Sequence, residues 1–479
     1  MKKAICFMLT LALLICSFSF LVNADNDLPD YSMEWHEWVQ YCGEFEGSNT
    51  LISLTPGADE TQMNFAWHSD FFSKKPVIRI SKNADMSDYT EFSARFTFAE
   101  NLKQKVNKAT ATGLEANTCY YYTYGTDHTF SEPVMFKTLS PESFKVFFVS
   151  DIQCNSFEGD TEKARQMAYN WQCNLANALN ANEDISFILS AGDQTHHGLA
   201  DEWMYTLSPK ALRSLPMATT VGNHDNKTTL YNHYVNNPNT YLGTTPSLTG
   251  NDYWFRYGDV LFMSFNANNE NIYDHFNFAK EAVMQNTDAK WRVGMLHHDF
   301  YGTGGHADNN ENIWLRAEFC PIADIFEFDI MLTGHEHIYG RSYYMYNGEI
   351  VENEGYENGN VTDPQGTIYF TASAASDNCR VYDEPYDFEW LAFTILNQES
   401  IYSTMEFDSY TLSINSYFCD TNEQVDEFNI EKSDTSFADT SEVTFGDYFN
   451  EAVEQLCGDY FFIVELLQTI IGTIMSMFC

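Results

Sequence analysis

The sequence predicts an α+β/α-β chain: a small N-terminal β-sandwich, then a larger domain in which strands and helices alternate. Three observations carry this reading. Short runs rich in β-branched and aromatic residues recur at close spacing between 51 and 138. From 144 onward, apolar strand-like runs alternate with stretches of helical spacing. Five of those later runs end directly in Asp, Asn, Gln or His.

Residues 1–24 carry an export-signal pattern. Lys2 and Lys3 precede an apolar run from Ala4 to Val22, and Val22-Asn23-Ala24 offers small residues for cleavage before Asp25. The expected destination is secreted or surface-associated. Residues 25–50 are aromatic and acidic and form a lead-in expected to pack on the body. The sandwich spans 51–139: "QMNFAWHS", "KPVIRIS", "ARFTFA", "KATATGL", "TCYYYTYG" and "VMFKT" read as strands, punctuated by Pro56-Gly57, Asn83, Gly113 and Gly125. Ser140-Pro141 reads as a linker.

The second domain spans 144–432. Its expected strands are Lys145–Ser150, Ile185–Ala191, Met217–Val221, Trp291–Leu296, Ile330–Thr333 and Thr367–Ala372. "TEKARQMAYNWQCNLANALN" reads as a helix between the first two, and strand-like text returns in "YTLSINSYF" and "VDEFNIEK". Residues 433–459 read as an acidic linker. Residues 460–479 are apolar and about long enough to span a bilayer, but Glu465 and Gln468 interrupt them. A mid-span acid costs roughly 2.5–3.5 kcal/mol. The expected form is therefore an apolar helix that packs on the body, a partner or a membrane surface.

The chain holds 25 basic and 68 acidic residues, a net charge of −43. Removing 1–24 deletes two lysines and no acid, giving −45. Such a surface excludes binding nucleic acid through its phosphates and suits attraction of divalent cations. Apolar residues make up 44%, so a large core can be buried and general disorder is excluded. Of the eleven cysteines, Cys6 and Cys16 lie in the leader, and no C-x-x-C pair marks a zinc ribbon or redox site. Disulfide pairing and oligomeric state are not legible.

The chemistry sits at the five strand ends. They are "SDIQ" (Asp151, Gln153), "AGDQTHHG" (Asp193, His196, His197), "VGNHDN" (Asn223, His224, Asp225), "LHHDFYG" (His297, His298, Asp299) and "TGHEHIYGRS" (His335, His337). Ligands of open α/β sheets bind at the carboxyl ends of strands, so folding is expected to gather these side chains in one crevice. Each string alone fits an ordinary turn, but seven of the thirteen histidines fall within the five. Imidazole mixed with oxygen donors suits two hard or borderline metal ions. Two such ions, about 3.5–4 Å apart, can share a carboxylate and clamp a phosphoryl oxygen. A cation is then the expected partner of Asp151 at the mouth of its buried strand.

At these residues the sequence resembles the calcineurin-like metallophosphoesterases, whose domain is two β-sheets flanked by helices. The sandwich ahead of it makes the chain similar to the purple acid phosphatase branch. "TGLEANTCYYYTYG" followed by "SEPVMFKT" resembles the end of the fibronectin type III-like domain found there. The resemblance implies Asp151 and His337 as ligands of the first metal and Asp193 as the bridge. Asn223, His297 and His335 would bind the second metal, and His224 would contact phosphate and protonate the leaving group. The metals implied are Fe, Mn or Zn. The implied reaction is hydrolysis of a small phosphate monoester by a metal-bound hydroxide. A phosphodiesterase or nucleotidase, or an exported binding protein with weakened activity, are the alternatives.

The sequence departs from the family in three places. Purple acid phosphatases carry a tyrosine three residues after the bridging aspartate; here His196 stands there, is taken as the replacement ligand, and implies a colourless site. Gln153 stands where many relatives have histidine and is expected at or next to the metal. Asp299 stands where the family often has proline. His298 and His306 are further candidates for substrate contact.

Overall fold

The structure, a computed structural model, describes residues 30–456 except 100, 101, 127, 128, 183, 377, 381–385, 397 and 398. The expected leader 1–24 and apolar helix 460–479 lie outside the described residues. Among the described residues, no helix is long and apolar enough to cross a membrane.

The lead-in folds as a helix, Trp35–Phe45, that buries Trp38, Cys42 and Phe45. Its first turn is closed by Glu37, whose carboxylate accepts the Glu34 N–H at 3.1 Å. The helix docks on the long helix Thr161–Ala181: Trp38 Nε1 donates to Arg165 O at 3.1 Å, and Arg165 forks onto Glu46 at 2.8 and 2.6 Å. Tyr205 donates to the same carboxylate at 2.8 Å. Arg165 chiefly, and Tyr205 after it, hold the Glu46 carboxyl below the ordinary glutamate value of 4.5. A depressed value stabilises the fold above the unfolded pKa and is lost as pH falls through the folded one. Glu46→Gln is therefore expected to cost about 1.5–3 kcal/mol at neutral pH. Urea unfolding at neutral and acid pH checks this: the gap to the wild type should close in acid.

The sandwich is built from two antiparallel sheets. One runs Ser53–Pro56, Gln62–Asp70, Gln104–Thr112, Arg95–Ala99; the other runs Thr90–Ser93, Val77–Ser81, Thr118–Thr126, with Thr129–Phe130 and Val134–Thr138 also on Thr118–Thr126. Alternation along the strands decides what is inside. Met63, Phe65 and Trp67 of one sheet meet Ile78, Ile80, Tyr120 and Tyr122 of the other in one core.

The second domain has two seven-stranded sheets. In the first, Phe144–Val149, Ile185–Ser190 and Met217–Thr219 run parallel, and the antiparallel strands Ile401–Phe407, Thr411–Phe418 and Gln424–Glu431 extend it. In the second, Val260–Ser264, Trp291–Met295, Ile330–Thr333 and Ile368–Thr371 run parallel. The sheets face each other across one apolar core that includes Phe148, Phe187, Phe262, Val293 and Met405. Helices Ile272–Gln285, Asn310–Ile325 and Phe445–Leu456 cover the other face of the second sheet, around Phe276, Phe319 and Tyr448.

The last of these helices differs from the acidic linker expected over 433–459. Phe445, Tyr448, Phe449 and Ala452 recur at helical spacing and pack on the body, an apolar stripe that the surrounding acids conceal. The hairpin Tyr253–Tyr257/Val260–Ser264 was also not anticipated.

Candidate metal centre

Both parallel strand sets deliver their carboxyl ends to one place, and the backbone turns there by unusual conformations. Asp151 (φ 52°), Gln153 (45°), Asp193 (51°), His335 (71°) and His337 (58°) all sit in the left-handed region. That region costs a non-glycine residue roughly 1–2 kcal/mol, and such strain gathers at functional sites. The turns are stitched together by backbone bonds: Asp151 N–H to Gly192 O at 3.1 Å, Gln153 N–H to Asp193 O at 2.8 Å and Gly334 N–H to His297 O at 2.9 Å. Two glycines permit the approach. A Cβ on Gly192 (φ 103°) would lie 2.5 Å from His297 Nδ1, and one on Gly222 would lie 1.9 Å from Asp193 Oδ1.

Asp151, Asp193 and His297 are almost completely buried, and one ligand atom from each falls within 4.8 Å of the others. Asp193 Oδ2 lies 3.3 Å from His297 Nε2 and Asp151 Oδ1 lies 3.2 Å from His337 Nε2. His297 Nε2 also faces Asn223 Oδ1 at 3.1 Å and His335 Nδ1 at 3.2 Å. On their far sides, His297 Nδ1 meets Ala191 O at 2.9 Å and His337 Nδ1 meets Asn378 O at 2.6 Å. Each carbonyl fixes the ring with Nδ1–H outward and Nε2 inward, as in the outer support of metal-bound histidines. Asp151 Oδ1 is buried without a hydrogen-bond donor.

Lone pairs of two carboxylates, an amide oxygen and three imidazoles thus converge with too few protons among them. Metal cations fit this donor set. Without cations, protons must balance the charge. Burial alone would lower His297, yet Asp193 outweighs it and the ring is pushed up to about 9. Burial alone would raise Asp151, yet His337 and the other neighbours bring it down to about 2.

Residues 144–339 match the family model for the calcineurin-like phosphoesterase, and residues 50–138 match that for the purple acid phosphatase N-terminal domain. The larger domain of this chain is a calcineurin-like phosphoesterase domain. Two uncharacterized proteins of Mycobacterium tuberculosis (strains CDC 1551 / Oshkosh and H37Rv) are each 23% identical over 328 residues, 59% of this chain and 60% of theirs. The chain thus spans about 60% of the length of these curated relatives. Among solved structures, a purple acid phosphatase from yellow lupin seeds aligns with a TM-score of 0.65 at 15% identity, over 82% of this chain and 77% of that one. PhoD aligns with a TM-score of 0.51 at 13% identity, over 85% of this chain and 98% of that one. At such identities the two structures speak for the fold.

Within the phosphoesterase domain, the remaining candidates take distinct positions. The His224 backbone N–H donates to Asp193 Oδ1 at 2.8 Å, and its Nε2 lies 4.0 Å from Asp193 Oδ2. His196 sets its ring against His224 (4.7 Å between centroids) and His197 (4.4 Å). Burial, then His224, pushes His196 down to about 4. Gln153 accepts from Asn378 Nδ2 at 2.5 Å and turns its amide nitrogen to Asp193 Oδ2 at 3.4 Å. His298 is buried with its ring 5.0 Å from that of His335 and its Nε2 3.4 Å from Glu311. The His306 ring lies tilted against that of His335, 4.4 Å between centroids, and its Nδ1 lies 2.7 Å from Arg380 Nη1.

Two supports, Asn378 and Arg380, escaped sequence reasoning, and a third, Asp225, was named there without a role. Asp225 accepts from the Gly222, Gln194 and Thr195 N–H groups, each at 3.1 Å, and from the Thr195 hydroxyl at 2.9 Å. It ties the Asp193 loop to the Asn223 loop, and its place in "VGNHDN" was the available signal. Asn378 joins Gln153 to His337, and Arg380 joins His306 to Glu336 at 3.4 Å. Neither residue lies in a recognisable motif. Asp299, in the place of a family proline, is wholly buried, with Oδ1 3.4 Å from the Thr333 hydroxyl.

Proposed function

We propose that this chain hydrolyses phosphate monoesters at a centre of two metal ions, drawn from Fe, Mn and Zn. The observation that carries the reading is the buried convergence of Asp151, Asp193 and His297, with the imidazole Nε2 atoms turned inward. Asp151 and His337 would hold one ion; Asn223, His297 and His335 the other; Asp193 would serve both. Bound there, the ions would acidify water and neutralise phosphoryl oxygens.

The chain's own residues supply position and a proton. Lys227 Nζ, which can only donate, lies 2.8 Å from His224 Nδ1 and 2.9 Å from His196 O. With Nδ1 facing that donor, Nε2 is the ring nitrogen left to carry a proton, on the side of Asp193, where a leaving-group oxygen can take it. In this reading the His196 carbonyl accepts from Lys227 Nζ at 2.9 Å and so holds the ammonium beside His224 Nδ1, while the His196 ring remains the proposed ligand in the place of the family's tyrosine, for a centre without tyrosinate colour. Arg380 and His306 border the centre from the His335 side and suit a phosphate's remaining oxygens. The leader pattern of residues 1–24 supports export.

Metal analysis combined with hydrolysis of p-nitrophenyl phosphate and bis(p-nitrophenyl) phosphate tests the proposal. The monoester is expected to be cleaved faster, and Asn223→Ala to lose about 10²-fold or more in kcat/KM. Faster cleavage of the bis-ester would replace the monoesterase with a diesterase. Metal-free protein that hydrolyses neither ester with any of the three metals added would overturn the enzymatic reading.

A further inference from the structure

Two hollows, of about 600 and 650 Å³, adjoin where the sandwich meets the phosphoesterase domain. Arg95, Lys108 and Asn232 are the residues that line both. Arg95 and Lys108 come from neighbouring strands of the sandwich, and Asn232 from the helical turn Tyr231–Tyr234 of the phosphoesterase domain. Neither hollow shares a residue with the metal centre. Among the described residues, no Asp or Glu lines either one, although the chain carries 68 acids against 25 bases.

The two cations repel each other and leave their donors largely unspent. They are direct cross-strand partners in an antiparallel pair. The Cβ atoms of such a pair are about 5 Å apart, and like charges there destabilise. Arg95 reaches one acceptor, Asn236 Oδ1, from Nη2 at 3.4 Å. Lys108 Nζ meets no hydrogen-bond acceptor and no carboxylate among the described residues. Burial, then Arg95, pushes its ammonium down to about 8. His233, on the wall of the second hollow, is in turn held below 6.5 by burial and then by Lys108. An anion between Arg95 and Lys108 would turn repulsion into attraction.

The free donors narrow the anion. Lys108 brings three N–H groups and Arg95 a planar fork. Asn232 spends one amide N–H on Leu248 O at 2.9 Å and keeps the other. A planar carboxylate has two oxygens, which a single guanidinium fork takes up. A tetrahedral oxyanion has four, enough for the fork, the ammonium and the amide together, and as a dianion it matches both positive charges.

We propose that Arg95, Lys108 and Asn232 form a binding site for a tetrahedral dianion, phosphate or sulfate, at the junction of the two domains. The site is independent of the phosphatase reading, because binding there requires neither metal nor turnover.

Titration calorimetry of the full chain with sodium phosphate and sodium sulfate tests it, with sodium acetate and sodium chloride at equal ionic strength as controls. At least one dianion is expected to bind saturably, about tenfold or more tighter than acetate or chloride, and the tighter of the two assigns the site to phosphate or to sulfate. Lys108→Gln and Arg95→Gln are each expected to weaken that binding about tenfold or more. Asp193→Asn is expected to retain it, which separates it from any phosphate held at the metal centre. Lys108→Gln relieves a like-charge contact, so its Tm should not fall, and lost binding there is not lost folding. Binding of the dianions no tighter than acetate or chloride, wild-type affinity in folded Lys108→Gln, or loss of all dianion binding in Asp193→Asn would each overturn the proposal.

Discussion

Asp193→Asn is expected to lower kcat by about 10³-fold, near 4 kcal/mol of barrier, and to abolish most of the rise in Tm that added metal gives the wild type. In the proposed centre Asp193 would serve both ions. Its Oδ2 faces His297 at 3.3 Å and Gln153 at 3.4 Å, while its Oδ1 takes the His224 N–H at 2.8 Å. Asparagine keeps the size and one acceptor oxygen but removes the charge. A ligand that binds only the folded state at 100 times its Kd adds about 2.7 kcal/mol. That increment, read as Tm with and without metal, should shrink in the variant. Loss of activity with an undiminished metal effect on Tm would show that Asp193 acts in catalysis alone and not as a shared ligand.

Gly222→Ala is expected to cost about 1–3 kcal/mol of stability and about 10²-fold in activity. A Cβ there would lie 1.9 Å from Asp193 Oδ1 and 2.3 Å from the Asp193 backbone nitrogen. Neither atom is the free end of a flexible side chain, so one of two metal-site loops must move. The φ of Gly222 is not in the left-handed region, which makes the effect purely steric. Gly348→Ala is the matched control: its φ is +75° but nothing lies within 4 Å of the new Cβ. It should cost about 1 kcal/mol and no activity. Denaturant unfolding and ester hydrolysis on both variants separate crowding at the centre from backbone strain elsewhere.

The contrast between these two glycines also shows what a sequence reveals. The strands Phe144–Val149, Ile185–Ser190, Trp291–Met295 and Ile330–Thr333 were legible because buried parallel strands are continuous apolar runs. The polar residues that follow them were legible as a site because a parallel sheet must bring its strand ends together. What lay hidden depends on atoms rather than pattern. Nothing in "SDNCR" marks Asn378 as the group that holds both His337 and Gln153. Spacing from Asp193 suggested a ligand at His196, but spacing does not reveal that the backbone carbonyl of the same residue accepts from Lys227 Nζ at 2.9 Å. The helix Phe445–Leu456 was concealed by its acids, because composition averages over faces that a helix separates.

The most direct measurement is an anomalous-diffraction structure of the metal-loaded protein with phosphate bound. Two peaks are expected, one against Asp151 and His337 and one against Asn223, His297 and His335, with Asp193 in contact with both. A single peak, or full loading with these side chains turned away from the metal, would contradict a shared two-metal centre.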